Sequence, residues 1–317
     1  MAAEPTRFAP QRVHDFWNFV SLPDSSAATT LERLMKILIT GAAGMLGRDV
    51  CRAASAAGHQ VTALARSGLD ITDADAVAAA VRATAPDTVI NCAAWTNVDG
   101  AEAGEDAALS VNGSGAGNLA RAALAAHSWT IHVSSDYVFD GSKREPYLES
   151  DPVGPMSAYG RTKLAGEEAV AREAHGAHTI VRSSWLFGLG GKCFPATIRR
   201  LAAERDELTV VDDQVGCPTF TGHLAQALVA LATDIPPLGI VHVAGGGQCS
   251  WYELATEIVA ASGAACEVKP GRTKDLNRPA PRPAYSVLRT ERGSGIPRLP
   301  HWREGLAEYT GSGVPAS

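Results

Sequence analysis

The chain has 317 residues, 45% of them hydrophobic and 20% charged, so it can bury one large core or a core with a small lobe. A formal net charge of −6 and the lack of a Lys/Arg run exclude a footprint for nucleic-acid phosphates. The six cysteines form no CxxC pair, which argues against a zinc site and a disulfide framework. No apolar run reaches the ~18 residues of a membrane span, so we expect a cytoplasmic protein without a membrane partner.

Residues 1–34 differ from the rest of the chain because they combine prolines, a polar run and one short aromatic patch around Trp17. We predict that they form a poorly ordered extension outside the core. Met35 comes directly before a β-branched run that ends in glycine, as a buried first strand would.

Apolar, strand-like runs alternate along the chain with alanine-rich, helix-like stretches. The predicted strands are residues 36–40, 61–65, 88–92, 129–134 and 178–183. The predicted helices lie near residues 45–57, 73–84, 102–126 and 157–174. This alternation is typical of parallel βαβ units.

The regular alternation ends after residue 182 and gives way to glycine-containing loops. Helical segments near 221–233 and 250–262 and a strand near 239–243 follow, and we interpret them as parts of a lobe that covers a substrate. Residues 269–283 are rich in proline and arginine, which favours a segment that crosses the surface or lines a cleft.

Three glycines, Gly41, Gly44 and Gly47, connect the first predicted strand to the first predicted helix. In this context they permit a tight turn, close approach of a pyrophosphate to the backbone, and close packing of the helix on the sheet, with Met45 and Leu46 in the same turn. The alternative is a tight turn without a ligand.

The turn and the alternation together predict an α/β fold, a Rossmann-type doubly wound parallel sheet. We expect an NAD(P)-binding domain at 35–185. A smaller lobe, mainly substrate-binding, should follow at 186–317, with elements that return to the first domain.

The second strand ends in Arg66, where an NAD-selective protein often has an acid for the ribose 2′-hydroxyl. Arg66 can pair with the 2′-phosphate of NADPH, and the alternative is a solvated arginine without a cofactor role. We therefore predict NADPH as the cofactor, with NADH left open.

Tyr159 and Lys163 are spaced i, i+4, which places a phenol and an ammonium on one face of a helix. A nearby cation stabilises phenolate, so we expect Lys163 and a bound nicotinamide cation together to bring the pKa of Tyr159 nearer to working pH. Ser134 and Ser135 follow the fourth strand, at the edge where ligands bind in open α/β sheets. We choose Ser135 as the hydroxyl that polarises a ketone; the alternative for both serines is capping of the strand end.

With these residues placed, the chain resembles the dTDP-4-dehydrorhamnose reductases, which are extended short-chain dehydrogenases, from Met35 nearly to the C-terminus. The matching segments are 89–96 (VINCAAWT), 134–141 (SSDYVFDG, where the family usually has STDYVF), 159–167 (YGRTKLAGE), 182–188 (RSSWLFG), 211–219 (VDDQVGCPT) and 282–288 (RPAYSVL).

The resemblance implies a role for each matching residue. The catalytic residues would be Ser135, Tyr159 and Lys163, and the last two would also contact the cofactor. Further cofactor contacts would be Asp70 and Ile71 near the adenine and Ala93, Ala94, Trp95 and Thr96 along the ribose and pyrophosphate. Substrate contacts would be Ser135, Asp136, Tyr137, Trp185, with core packing as its alternative, and Arg282, which clamps the diphosphate or faces solvent.

The activity implied by the resemblance is NAD(P)H-dependent reduction of the C4 keto group of a dTDP-4-keto-6-deoxyhexose, most simply in dTDP-rhamnose biosynthesis. Related ketosugars use the same motifs. A 4,6-dehydratase is disfavoured because Tyr137 stands where that enzyme has a glutamate base. A non-catalytic NADP-binding regulatory subunit is a further alternative. Some members of the family form homodimers around Mg²⁺, but we assign no metal ligand here.

Overall fold

The computed structural model describes residues 34–233, 237–293 and 295–311, so nearly all of the predicted N-terminal extension lies outside the described residues. Its centre is a six-stranded parallel sheet in the order β2-β1-β3-β4-β5-β10. The strands are β1 (Lys36–Thr40), β2 (Gln60–Leu64), β3 (Thr88–Asn91), β4 (Trp129–Ser135), β5 (His178–Ser183) and β10 (Gly239–His242). The order reverses between β1 and β3, which confirms the predicted doubly wound architecture and makes that point the expected ligand cleft.

The helices of the described chain are α1 (Met45–Ala56), α2 (Ala74–Thr84), α3 (Val98–Ala103), α4 (Glu105–Leu109), α5 (Ala116–Ala125), α6 (Ala158–Glu173), α7 (Phe194–Glu204), α8 (Thr221–Thr233), α9 (Trp251–Ser262) and α10 (Trp302–Gly311). Side chains cap four of them at the N-terminus: Asp73 caps α2, Asn97 caps α3, Ser157 caps α6, and Ser250 forms a capping box at α9. These caps satisfy backbone N–H groups that would otherwise lack partners.

The single helix predicted near 102–126 is divided in the structure. α3 ends at Gly104, α4 follows, and a π-helical turn at Ser110–Gly115 joins α4 to α5. Asn112 in that turn is buried and bonded to the main chain of Trp95, so a tertiary contact rather than local periodicity fixes the irregularity.

The sheet face under α2 and α5 changes from apolar to polar towards the carboxyl edge of the strands. Leu38 and Val89 pack in the core with α2 and α5. Two positions further, Thr40 Oγ1 donates to Asn91 Oδ1 (2.8 Å), and Asn91 Nδ2 lies 3.0 Å from His132 Nδ1. The row of hydrogen bonds crosses three strands where the expected ligand cleft begins.

Shorter strands build a lobe beside this edge: β6 (Leu186–Phe187) with β9 (Thr219–Phe220), β7 (Glu207–Val211) with β12 (Glu267–Gly271), and β8 (Val215–Gly216) with β11 (Cys249–Ser250). Their core includes Phe187, Leu254 and Trp302. Two later elements pack with the first half of the chain. β10 extends the large sheet, and α8 packs on α1, where Thr221 Oγ1 donates to Asp49 Oδ2 at 2.6 Å.

The Pro- and Arg-rich segment 269–283 contains the end of β12 and a 3₁₀ turn at Thr273–Asp275, and its later residues line a small cavity. Among the described residues, none of the helices is long and apolar enough to cross a bilayer.

Candidate active site

The glycine turn after β1 is shaped by close backbone contacts. Gly41 has φ +68°, and a Cβ on it would lie 2.5 Å from the Ala93 nitrogen. A Cβ on Gly47 would lie 2.2 Å from the Gly41 carbonyl oxygen, so neither position accepts a larger residue without movement. No side chain caps the N-terminus of α1, and its first turn holds no acid. Its N–H groups and positive dipole end therefore suit an anion such as a dinucleotide pyrophosphate.

Met45 and Leu46 occupy the first turn of α1. Leu46 is buried, and Met45 is half-buried against the lobe, where a Cβ on Gly191 would lie 3.0 Å from the Met45 Cβ. Met45 thus joins the glycine turn to the lobe.

The loop after β3 forms the other wall of the cleft. Ala93, Ala94 and Trp95 are half-buried, and Thr96 is exposed. Asn112 holds this loop, since its Oδ1 accepts from the Trp95 N–H (2.8 Å) and its Nδ2 donates to the Trp95 carbonyl (3.1 Å). The same Nδ2 lies 3.0 Å from Thr162 Oγ1, so one buried amide joins the loop after β3 to α6.

The two serines at the end of β4 have different partners. Ser134 Oγ donates to Glu167 Oε1 at 2.5 Å, which ties Ser134 to α6. Ser135 Oγ donates to Asp136 Oδ1 at 3.0 Å and accepts from the Tyr137 N–H at 3.2 Å, and its hydroxyl acts to lower the pKa of Tyr159. Of the two, Ser135 is the hydroxyl next to the predicted catalytic phenol.

Tyr159 and Lys163 both lie on α6, whose N-terminus is fixed by Ser157. Tyr159 packs edge-to-face against Tyr137, with ring centroids 5.5 Å apart. Lys163 is buried, and its Nζ donates to the Val133 carbonyl of β4 at 2.8 Å. Helix α6 and strand β4 thus bring the three predicted catalytic residues to one edge of the sheet.

Burial dominates the ionisation of this group. It raises the pKa of Tyr159 to about 12, against a lowering by the Ser135 hydrogen bond, and it lowers the pKa of Lys163 to about 8. In the ligand-free protein, desolvation of the phenol outweighs the groups that favour phenolate. The joint effect of Lys163 and a bound nicotinamide cation stays a prediction. A phenol that keeps its proton is suited to donate it to a ketone oxygen.

Asp136 is 2% exposed and lies beside Ser135. Burial raises its pKa to about 6, although the hydroxyls of Ser286 and Ser135 act in the opposite direction. Tyr137 follows it and faces Tyr159, so both residues predicted to touch a sugar lie next to the phenol.

Arg282 makes a two-point ion pair with Asp99, with its Nη1 3.0 Å from Oδ1 and its Nη2 3.0 Å from Oδ2. Arg278 Nη1 lies 3.8 Å from the same carboxylate, and both arginines act on the pKa of Tyr137. Two guanidinium groups therefore share one carboxylate close to Tyr137. They line a cavity of about 200 Å³ together with Gln214, Thr273, Leu276, Ala280 and Pro281.

Trp185 has a left-handed backbone (φ +48°) and stacks on Trp251 with ring centroids 3.5 Å apart and planes within 3°. Its indole also lies where a Cβ on Gly216 would be, at 2.4 Å from Cε2. The Trp251 Nε1 donates to Gln214 Oε1 at 3.1 Å, which connects the stack to the residues of the small cavity.

The residues predicted near the adenine lie in different environments. Arg66 is exposed, and its charge contributes to lowering the pKa of the exposed Asp70, after hydrogen bonds from the Thr72 N–H and hydroxyl. Ile71 is buried, and a Cβ on Gly115 would lie 2.7 Å from its Cγ1, so its side chain belongs to the core and not to an open surface.

Comparisons with known proteins agree with this geometry. The family model described as "RmlD substrate binding domain" matches residues 35–312. The chain belongs to this family. The dTDP-4-dehydrorhamnose reductase of Streptomyces griseus is 45% identical over 278 residues, which cover 86% of this chain and 91% of that relative. The dTDP-4-keto-6-deoxy-D-glucose reductase of Streptomyces niveus is 43% identical over 282 residues, covering 86% and 94%.

A solved structure of dTDP-4-dehydrorhamnose reductase from Bacillus anthracis, in complex with NADP, superposes with a TM-score of 0.85. It is 35% identical, and the match covers 88% of this chain and 100% of that one. The resemblance read from the sequence motifs is therefore confirmed at the level of the RmlD family.

Four residues of this RmlD-family site carry no role in the sequence prediction: Asn112, Asp99, Trp251 and Gln214. Asp99 lies next to a matching segment, but its partner Arg282 is 183 positions away. Asn112 and Trp251 lie in helical stretches that carry no motif. Their contacts, with Trp95 and with Gln214, join segments that are distant in the sequence.

Proposed function

We propose that this chain binds NADPH and reduces the C4 keto group of a dTDP-4-keto-6-deoxyhexose, with dTDP-4-dehydrorhamnose reduced to dTDP-L-rhamnose as the first candidate reaction. The observation that carries the proposal is a convergence at the sheet edge beside the glycine turn. Ser135 ends β4, Tyr137 after it packs edge-to-face on Tyr159, and Lys163, one turn further on α6, donates to a β4 carbonyl. The names of the relatives support the same reaction.

The glycine turn and the N-terminus of α1 fit the pyrophosphate of the cofactor, and the NADP complex of the Bacillus anthracis relative supports NADP(H) over other dinucleotides. When bound, the nicotinamide supplies a hydride. The 93–96 loop, held by Asn112, lines the ribose side, and Arg66 is free to meet a 2′-phosphate. No group of three His, Cys, Asp or Glu suited to a metal occurs among the described residues, so the proposal includes no Mg²⁺.

Tyr159 provides the proton for the ketone oxygen, and its raised pKa keeps that proton in place until the oxygen becomes basic. Tyr137 fixes the position of the phenol through an edge-to-face ring contact. Positioning of this kind accounts for much of the rate of a two-substrate reaction.

The residues from 186 onward would mainly cover the substrate. Arg282 and Arg278 share the single negative charge of Asp99, so the cavity that they line retains positive charge for a diphosphate. The Trp185–Trp251 stack, linked to the same cavity through Gln214, supplies a flat apolar wall next to it.

A second candidate is a reductase for a related dTDP-ketosugar. The relative named dTDP-4-keto-6-deoxy-D-glucose reductase is 43% identical, almost as similar as the Streptomyces griseus enzyme at 45%. The shared motifs alone do not choose between the two sugars.

The experiment is to incubate the purified chain with NADPH and each ketosugar and to follow the loss of nicotinamide absorbance. We expect turnover that Tyr159→Phe lowers by ~10² or more while NADPH binding is kept, because only the positioned acid is removed. Undiminished turnover in Tyr159→Phe would contradict the assignment. Flat traces from the wild-type chain with every ketosugar would favour a non-catalytic NADP-binding subunit.

The neighbouring serines give a matched control. Ser135→Ala should lower kcat, since it removes the hydroxyl proposed to polarise the ketone. Ser134→Ala should mainly lower stability, since it removes a bond to Glu167. Equal losses of kcat in the two variants would mean that Ser135 has no specific role.

A further inference from the structure

Asp99 is the acid of the diphosphate subsite, which consists of Asp99, Arg278 and Arg282. It lies in the first turn of α3, and its carboxylate accepts from Arg282 Nη1 and Nη2, both at 3.0 Å. The Ala280 N–H approaches Oδ1 at 3.3 Å, and Arg278 Nη1 lies 3.8 Å from Oδ2. A phosphate that binds either arginine is therefore also close enough to be repelled by the Asp99 carboxylate.

Arg282 has a fixed position in this subsite. Its side chain is only 12% exposed, and Nη1 also donates to the main-chain carbonyl two residues earlier at 3.1 Å. The next residue, Pro283, packs on the loop after β4, where a Cβ on Gly141 would lie 2.5 Å from the Pro283 Cβ. This packing keeps Arg282 beside the segment that carries Tyr137, so Asp99 stays close to any ligand that binds there.

The charges of the three side chains leave the subsite weakly positive. Arg278 and Arg282 supply two positive charges and Asp99 supplies one negative charge, so their sum is one positive charge. Asp99 keeps its charge, because its hydrogen bonds with Arg282 hold the pKa of its carboxyl below the usual value. Without Asp99, the positive charge that faces a ligand would double.

A second acid near the cavity, Asp213, has other partners. It accepts from the Thr273 N–H at 2.9 Å and from the Thr273 hydroxyl at 2.6 Å, and the charge of Arg272 acts on it. Asp213 thus has a base of its own, whereas both arginines of the subsite share Asp99. Asp99 is therefore the acid whose charge sets how strongly these arginines attract a ligand.

Nucleotides that share the thymidine and the diphosphate differ in charge. A dTDP-sugar carries about two negative charges, because the sugar blocks the terminal phosphate, whereas free dTDP carries about three and dTTP about four at pH 8. The Coulomb attraction to a fixed positive charge grows with the charge of the ligand. A subsite with two positive charges would therefore favour dTDP and dTTP over a dTDP-sugar by more than a subsite with one.

We propose that Asp99 is a specificity-determining residue, which lowers the positive charge of the diphosphate subsite and so disfavours free dTDP and dTTP relative to a dTDP-sugar. The inference rests on the proposed reductase function and on the diphosphate subsite within it. Asp99 then has two linked effects: it orients Arg282 through the two-point ion pair, and it repels each additional phosphate charge.

The test measures the Kd of three ligands by titration calorimetry at pH 8, in about 0.05 M KCl without divalent cations, which would neutralise phosphate charge. The ligands are dTDP-glucose, which has no ketone to reduce, dTDP and dTTP. Asp99→Asn removes the charge but keeps an oxygen that can accept from Arg282, and Asp99→Ser is a second neutral variant. We expect Asp99→Asn to bind dTDP-glucose about threefold more tightly than wild type and dTTP about tenfold or more, with dTDP between them.

Three further variants check that charge is the cause. Arg278→Gln removes one positive charge and should weaken binding, most of all for dTTP, whereas Asp99→Glu keeps the charge and should keep the wild-type order of affinities. The effects of Asp99→Asn and Arg278→Gln should both become smaller in about 0.5 M KCl, because salt screens exposed charges. The control Asp73→Asn makes the same chemical change at the cap of α2, where asparagine also caps, and should leave all three Kd values unchanged.

The results separate the two proposals. Neutral variants that change all three Kd values by the same factor would show that Asp99 only orients Arg282, and this result, like unchanged Kd values, overturns the specificity role alone. A chain that binds the three nucleotides but reduces no ketosugar contradicts the reductase function, and the Kd series still decides the role of Asp99. A wild-type chain that binds none of the nucleotides contradicts both proposals.

Discussion

Two buried groups on one face of α6 differ in how their charge is neutralised. Glu167 meets Arg182 of β5 through two hydrogen bonds of 2.8 and 2.7 Å, and Ser134 adds a third bond to the same carboxylate. Lys163, one turn earlier, donates to the Val133 carbonyl, and burial lowers its pKa to about 8. Glu167 thus has a buried charged partner in Arg182, whereas Lys163 has a neutral backbone carbonyl as its hydrogen-bond acceptor.

The difference has a functional meaning. The paired region joins α6 to β4 and β5 and so fixes the direction from which Tyr159 and Lys163 reach the sheet edge. At that edge, Asp136 and Lys163 have pKa values shifted towards their neutral forms by burial, as groups at catalytic sites often do. The buried ion pair that stabilises the fold, Glu167 with Arg182, therefore lies one helical turn from Lys163.

The largest predicted effect is at the paired region. Glu167→Ala should lower the free energy of unfolding by about 3–5 kcal/mol, because it leaves the buried Arg182 guanidinium without its anion. Urea unfolding at pH 7.5 measures the change.

The same helix offers a matched control. Arg161 bonds Glu105 through two contacts of 2.8 and 2.7 Å, but both side chains are more than 40% exposed. Glu105→Ala should therefore lower the stability by no more than about 1 kcal/mol. Similar losses in the two variants would show that burial does not distinguish the two pairs.

The second effect concerns Asp136 at the end of β4. Its replacement should raise the stability relative to wild type as pH increases, whereas replacement of Glu167 lowers it. The folded-state pKa of Asp136 is raised from 3.8 to about 6, so the folded state binds more protons than the unfolded state between these values, and stability falls as pH rises through this window. The full loss is up to about 3 kcal/mol. Asp136→Asn lacks this loss.

The stability of Asp136→Asn relative to wild type should therefore increase by about 2 kcal/mol between pH 4.5 and pH 7.5. Urea unfolding of both proteins at the two pH values measures it. A difference that is independent of pH would mean that Asp136 titrates alike in the folded and unfolded chain.

The two regions also differ in how far the sequence alone predicts them. The strands at 36–40 and 178–183 have the bounds expected from their apolar runs, and the i, i+4 spacing of Tyr159 and Lys163 places both on α6 as predicted. The π-helical turn around Asn112 and the stacking of Trp251 on Trp185 were not predicted. Both depend on contacts between distant segments, which periodicity and composition do not encode.

The ionisation of the site shows the same limit. The i, i+4 spacing predicts that the phenol of Tyr159 and the ammonium of Lys163 lie near each other, and a nearby cation favours phenolate. The spacing does not predict how deeply either side chain is buried, and burial is the largest cause of the pKa shifts of both Tyr159 and Lys163.

The smallest effect concerns the far end of the cofactor cleft, where the groups are exposed. Arg66 lies on the surface, and the nearby Asp70 is engaged by the Thr72 N–H (3.0 Å) and hydroxyl (2.8 Å). The Asp70 carboxylate therefore accepts hydrogen bonds from Thr72, two residues further along the chain, and Arg66 is the charged group that we expect to meet a 2′-phosphate. Arg66→Ala should raise KM for NADPH about tenfold, equivalent to about 1.4 kcal/mol, and leave KM for NADH unchanged.

The exposed Arg82 on α2 provides the control, since Arg82→Ala removes the same charge away from the end of β2. A rise in both KM values for Arg66→Ala would indicate a general effect on the cleft, and no rise in either would mean that Arg66 is a solvated arginine. An exposed ion pair is weakened by salt, so the NADPH preference should also decline as ionic strength increases. The kcat that depends on Tyr159 and Lys163 should change much less with salt, because Lys163 is buried and its charge is screened less by solvent ions.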